Sequence, residues 1–348
     1  MNIALDSTYS VGADLSGVGV YSRELLSGLA RAHPSERFTF CYRSHRFLRS
    51  FGERLPPNCH RFLLGEARAP RSADVFHGLN QRLPHARLRH AVTTFHDLFV
   101  LTGDYSTPDF RRRFAEQARD AASRSEHIIA VSQFTARQLM DLLGVEADRV
   151  HVVEHGVRPA APLAVAREKI VLHVGAIQRR KNLVRLAEAF EKLDRDWQLV
   201  LAGSNGYGAE EILARISRSP SRERIRLPGY VSRRDLARWY ARAMIFAFPS
   251  LDEGFGIPVL EAMAAGVPVL ASNRAAIPEV AGDAAWLVNP EDSEELTEGL
   301  LSLAKDPGKC AELALKGLKR SVQFSWDAAI EKTWQVYRAM AAGVSGLV

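Results

Sequence analysis

Two carboxylates eight positions apart, Glu253 and Glu261, carry the strongest chemical signal in this sequence. Between them lie Gly254, Phe255, Gly256, Ile257 and Pro258, then Val259 and Leu260. Glycines there let backbone approach a ligand closely. Proline suits the first turn of a helix, whose unbonded N–H groups favour an anion. The stretch offers amides for a phosphate, one carboxylate for sugar hydroxyls and another for a ribose. An equally open reading makes Glu253 a first-turn charge and Glu261 part of a solvated face. A second cluster, Gln178-Arg-Arg-Lys-Asn182, is a basic loop before a helix start, where cations would add to amides around a diphosphate. Solvated surface charge is the plain alternative. Gly17-x-Gly19 follows the first apolar strand. The third glycine of a dinucleotide fingerprint is Ser22, so this pair reads as a phosphate-approach loop or simply a turn. His96-Asp97 ends another strand, where a lone histidine is usually structural.

The elements that must position these residues are short apolar strands alternating with amphipathic helices, the pattern of an α/β fold. Strands are expected at residues 2–6, 38–42, 75–77, 91–98, 128–132 and 150–153. The pattern restarts at Lys169-Ile-Val-Leu-His-Val-Gly175 and continues through 197–202, 245–248, 267–270 and 285–288. Helices are expected at 108–123, 183–193, 235–243 and 292–304, and from Pro258 to about Gly266. Pro159 and Pro162 mark a linker across 158–167. Residues 43–71 carry many arginines interleaved with Phe47, Leu48, Phe51, Phe62 and Leu63. They read either as the outside of an ordinary α/β layer or as a basic face meeting anionic lipid. Trp326, Ile330, Trp334 and Tyr337 recur at helical spacing and read as packing residues.

Glu253-Gly-Phe-Gly-Ile-Pro-Val-Leu-Glu261 and its continuation Ala-Met-Ala-Ala-Gly-Val-Pro-Val-Leu270 resemble the Glu-x7-Glu region of retaining glycosyltransferases of family 4. The resemblance runs over nearly the whole chain and is strongest from Val171 to Pro290. It implies a GT-B fold, two Rossmann-like domains with a nucleotide sugar in the cleft between them. Its domains would be residues 1–162 on the acceptor side, 163–323 on the nucleotide-sugar side, and 324–348 as a closing helix returning to the first. His96 would touch the donor sugar, with Asp97 orienting it or capping the next segment. Glu253 would hold sugar hydroxyls and Glu261 the ribose. Lys181 and Arg180 would meet the diphosphate with the amides of Gly254, Phe255, Gly256 and Ile257. Gly17 and Gly19 would face those phosphates, and backbone near Val231 would read the base. Three positions depart from the family pattern. Val20 and Ala176 replace arginines, and Arg179 replaces a proline.

The resemblance implies a hexosyltransferase with GDP-mannose as first candidate donor and a glycan or lipid-linked acceptor. No cofactor and no metal are expected, since no paired acidic metal motif is visible. The alternatives are a sugar-nucleotide epimerase of the same fold and a non-catalytic nucleotide-sugar-binding subunit. A net charge of +6 fits an anionic substrate or membrane face, and equally a mild surface surplus with no partner. No basic motif with stacking aromatics points to nucleic acid. Three scattered cysteines, Cys41, Cys59 and Cys310, form neither a disulfide framework nor a metal cluster. With no signal-peptide pattern and no bilayer-length apolar run, the expected location is cytoplasmic, with or without peripheral contact at the inner membrane face.

Overall fold

The structure is a computed structural model, and it describes residues 1–12, 15–159, 163 and 165–342. The chain divides into two compact units. Met1–Thr102, Thr107–Gly156 and Ser325–Val348 form the first; Gly103–Ser106 and Val157–Phe324 form the second. The boundary expected at 162 falls outside the described residues, as does much of the linker.

In the first unit the strands are β1 (Asn2–Asp6), β2 (Arg37–Arg43), β3 (Cys59–Leu64), β4 (Val75–Gly78), β5 (Ala91–Phe95), β6 (His127–Ala130) and β7 (Val150–Val152). All pair in parallel in the order β3-β2-β1-β4-β5-β6-β7. The second unit has β8 (Glu168–Val174), β9 (Gln198–Ala202), β10 (Ile225–Gly229), β11 (Ala243–Phe248), β12 (Val269–Ser272) and β13 (Trp286–Val288). They form a parallel sheet ordered β10-β9-β8-β11-β12-β13. Parallel strands buried on both faces need continuous apolar runs. Such runs appear in Ile170, Val171 and Leu172, and in Ile245 to Phe248, all 1% exposed or less.

The first unit carries α1 (Gly17–Ala32), α2 (Ser44–Ser50), α3 (Phe99–Thr102), α4 (Pro108–Arg124) and α5 (Gln133–Leu143). The second carries α6 (Leu183–Phe190), α7 (Ala209–Ser217), α8 (Arg233–Arg242), α9 (Ile257–Ala264), α10 (Ile277–Ala281), α11 (Ser293–Lys305) and α12 (Pro307–Ser321). Side-chain caps start several where the sequence supplies them. Ser132 accepts from Thr135 N, Ser232 from Asp235 N, and Asp292 from the amides of Glu294 and Glu295. The last helix, α13 (Trp326–Ala342), belongs to the first unit, and Trp326, Ile330, Trp334 and Tyr337 enter its core beside Leu25, Leu29 and Val75.

Residues 43–71 form more than a basic face. They contain α2 and the edge strand β3, whose Phe62 packs on the core around Ala4 and Phe76. Leu48 and Phe51 stay out, 80% and 62% exposed.

Candidate active site

Chain order and strand order diverge in each sheet where neighbouring strands run their crossovers to opposite sides. In the first unit that point lies between β1 and β4, in the second between β8 and β11. Doubly wound sheets bind ligands beyond the carboxyl ends of the strands there.

At the second unit's switch point the residues converge. After β8 the chain makes a short 3-10 turn, Arg179–Lys181, that leads into α6. After β11 the loop from Pro249 leads into α9. Leu251 N donates to the Arg180 carbonyl at 2.8 Å and ties the two loops together. Lys181 Nζ donates to Glu253 Oε1, and Arg180 Nη1 lies 2.8 Å from Glu253 Oε2. Arg180 Nη1 also donates to the Asp252 carbonyl at 2.8 Å. All three side chains are largely buried, with exposures of 11% for Arg180, 7% for Lys181 and 9% for Glu253. Burial by itself would raise the Glu253 carboxyl. The two cations and their hydrogen bonds outweigh it and hold the group at about 2. The result is the Glu253 carboxylate clamped by two buried cations, with Asp252 buried beside them, a strongly charged hollow at the carboxyl ends of β8 and β11.

Gly256 lies just before α9 at φ +106°, a backbone region that L side chains rarely adopt. Pro258 follows in the first helical turn. Gly254, Phe255 and Gly256 are buried, and the Phe255 ring meets Phe324 edge-on at 5.9 Å. Glu261, one turn into α9, accepts from Tyr240 Oη at 2.9 Å. Burial raises its carboxyl, opposed by that hydrogen bond and by the charge of Arg233. Val231 is half-buried between β10 and α8. Arg179 turns away from the cluster: its Nη2 lies 2.8 Å from Glu211 on α7, and its guanidinium stacks 5.6 Å from the Tyr207 ring centre.

In the first unit, His96 follows β5 and is 8% exposed. Its Nε2 donates to the Leu79 carbonyl at 2.9 Å. The ring meets Tyr21 edge-on at 4.7 Å and stacks on His155 at 5.4 Å. Burial pushes His96 down to about 4, against the pull of the Leu79 bond. The imidazole is therefore neutral near pH 7, and Nδ1 carries its lone pair. His77 does a structural job, with Nδ1 bonded to Tyr337 Oη and Nε2 to Thr94 Oγ1 at 2.8 Å.

Gly17 and Gly19 correct one expectation. They are not in a loop but in the first turn of α1, because Ser16 caps that helix. Gly19 N is bonded to Ser16 Oγ at 3.3 Å, so that amide already has a partner. Sequence reasoning also missed Tyr240 as partner of Glu261, and it missed His173. Its visible sign was a polar residue inside an apolar strand. Among the described residues, no group of three or more metal-ligating side chains is assembled, and no helix is long and apolar enough to cross a membrane.

Comparison with known proteins places the family and the fold. A family profile described as "Glycosyl transferases group 1" matches residues 159–320, and one described as "Glycosyltransferase Family 4" matches 15–161. O-antigen chain mannosyltransferase B of Escherichia coli is 30% identical, over 96% of this chain and 99% of that protein. D-inositol 3-phosphate glycosyltransferase of Xylanimonas cellulosilytica is 30% identical over 73% of this chain and 66% of that protein. Among solved structures, sucrose-phosphate synthase from Thermosynechococcus elongatus superposes with TM-score 0.83 at 22% identity, covering 99% of this chain and 100% of that one. HepE of Anabaena, solved in complex with UDP and glucose, gives TM-score 0.74 at 18% identity, covering 97% and 99%. The fold is that of the GT-B glycosyltransferases, two α/β units each built on a parallel sheet. With both halves matched and a full-length relative at this identity, the chain belongs to the group 1, family 4 glycosyltransferases.

Proposed function

We propose that this glycosyltransferase moves a hexose, with retention and without a divalent metal, from a nucleoside-diphosphate sugar to a glycan or lipid-linked acceptor. GDP-mannose is the first candidate donor. One observation carries the reading: Arg180, Lys181 and Glu253 meet, buried, at the carboxyl ends of β8 and β11. The name of the Escherichia coli mannosyltransferase supports a mannosyl donor, and the UDP and glucose held by the Anabaena protein support a nucleotide-sugar substrate.

In this reading the bond between the anomeric carbon and the β-phosphate oxygen breaks, and the nucleoside diphosphate leaves with the electron pair. Lys181, Arg180 and the amides of 254–257 stabilise its charge. Buried, preorganised donors of this kind are worth ~3–4 kcal/mol each. The acceptor oxygen bonds to the anomeric carbon from the face the leaving group departs, and its proton passes to the departing phosphate oxygen. Glu253 holds sugar hydroxyls, and Glu261, its far oxygen fixed by Tyr240, holds the ribose. Neutral His96 offers Nδ1 to a hydroxyl of the donor sugar. Gly17 and Val231 complete the donor contacts of this reading, the one assigned to the phosphates and the other to the base.

The test is GDP release from GDP-mannose, with and without candidate lipid-linked acceptors, in the presence of EDTA. Acceptor-dependent release that EDTA leaves intact, with an α-linked product, is expected. An epimerised sugar nucleotide formed without acceptor would instead make this chain an isomerase, and absence of any turnover together with tight donor binding would make it a binding subunit.

Contact with an anionic membrane belongs to the same proposal. Exposed Leu48 and Phe51 stand among Arg46, Arg49 and Arg54. Flotation with vesicles is expected to recover the protein on anionic but not neutral lipid, and Leu48→Glu to release it. Equal recovery of both proteins would remove this surface from the reading.

A further inference from the structure

His173 occupies the switch point beside Lys181, yet the reaction outlined above gives it no task. It sits near the end of β8 with no solvent exposure. Nδ1 donates to the Ala247 carbonyl of β11 at 3.1 Å, which fixes the tautomer and leaves the lone pair on Nε2. Nε2 has no hydrogen-bond partner among the described residues. A buried acceptor left without a donor is costly, and such groups in a native structure call for an explanation.

The neighbourhood supplies one. The His173 ring lies flat on Phe248, with centres 5.5 Å apart and planes 16° apart. Lys181 Nζ lies over the same Phe248 ring, 4.6 Å from its centre. Gly175 separates the two side chains. A β-carbon placed on it would lie 3.4 Å from His173 Nε2 and 3.6 Å from Lys181 Nζ. The lone pair and the ammonium thus border one small space that only a residue without a side chain leaves open. Burial, then the Lys181 charge, push His173 down to about 3, so the lone pair is present at neutral pH.

We propose that His173 is a positioning residue for Lys181. With a diphosphate bound, the ammonium turns part of its hydrogen-bonding from Glu253 to phosphate. Nε2 then accepts one of its three N–H groups, directly or through one water, and so aims the others at the leaving oxygen. This rests on the reading of Lys181 as a phosphate cation.

Two substitutions separate this role from a structural one. His173→Asn keeps a donor for the Ala247 carbonyl and removes the acceptor at Nε2. His173→Gln puts an amide oxygen near Nε2 and gives up the Ala247 bond. A structural role predicts that Asn is the milder change. Positioning predicts the reverse: in Asn, kcat for GDP release from GDP-mannose falls at least about tenfold with little change in KM, tenfold being the low end for one hydrogen bond to a charged group, and Gln stays within about threefold of the parent. In a Lys181→Met background His173→Asn should have no further effect on kcat. Circular dichroism establishes that each variant is folded. Equal losses in Asn and Gln, or an Asn loss that persists undiminished without Lys181, would overturn the proposal alone. Full turnover by Lys181→Met would overturn it together with the phosphate reading.

Discussion

Glu253 is held by two cations at once, and that arrangement decides what each residue can be. A carboxylate kept at about 2 cannot act as a proton donor near neutral pH. What it can do is accept hydrogen bonds and hold Lys181 and Arg180 in place. Replacing Lys181 by alanine leaves Arg180 on Glu253, so the protein should remain folded. Turnover should nevertheless fall at least ~100-fold, the loss expected for one preorganised donor in a dry site. Steady-state GDP release measures it, and near-parental turnover of folded Lys181→Ala would take the phosphate role from this residue. Glu253, Lys181 and Arg180 were legible in the sequence because their loops carry glycine, proline and clustered charge. That they meet was not, since 72 positions separate Lys181 from Glu253. His173 was hidden because an apolar run with one polar member reads as strand and nothing more. Tyr240 was hidden because its phenol reaches Glu261 only once α8 and α9 pack beside β11.

Most strands and helices could be read from periodicity, and the failures share a physical cause. Strand β3 begins with Cys59, His60 and Arg61 at the sheet edge, where one neighbour suffices and no long apolar run is required. Helices α7 and α12 bury only narrow stripes, Ala209, Ile212 and Ile216 in one and Leu313, Gly317 and Ser321 in the other. The Gly17 pair was misplaced because Ser16 starts the helix earlier than the glycines suggest. Close packing of elements is equally invisible in one dimension. Gly28 on α1 faces α13 so closely that a β-carbon there would lie 2.0 Å from Ile330 Cδ1. Alanine or valine would be the better helix former by up to ~1 kcal/mol. Overpacking of a filled core costs about 1–3 kcal/mol, so crowding should win. Gly28→Val is expected to lower the urea midpoint of the first unit, and adding Ile330→Ala should recover part of the loss. An unchanged or raised midpoint in Gly28→Val would show that α13 yields freely at this contact.

At the scale of the molecule, buried neutral histidines set the response to acid, and they are unevenly shared. The first unit holds His77, lowered to about 3, His96, lowered to about 4, and His155, lowered well below the ordinary range, all through burial first. Among the described residues the second unit holds one fully buried counterpart, His173. A histidine whose folded pKa lies below its unfolded value of 6.5 is protonated first in the unfolded chain. Unfolding then takes up protons, and stability falls as pH drops from 6.5 towards the folded value. Each such group contributes at most about 1.4 kcal/mol per pH unit in that window. Glu253 acts only lower down, because its stabilisation is lost between 4.5 and about 2. Asp6 and Glu261, raised by burial, oppose the histidines, but each unit has one of them, so the imbalance between units survives. The first unit should therefore lose stability more steeply than the second between pH 6.5 and 5, since His33, His127 and His151, also lowered by burial, add to the same side. Trp326 and Trp334 report on the first unit, and Trp197, Trp239 and Trp286 on the second. With the other set replaced by phenylalanine, fluorescence-detected urea midpoints at pH 7 and pH 5 follow each unit separately. Midpoints that move equally, or a first-unit midpoint that does not move, would mean that these histidines take up their protons without unfolding.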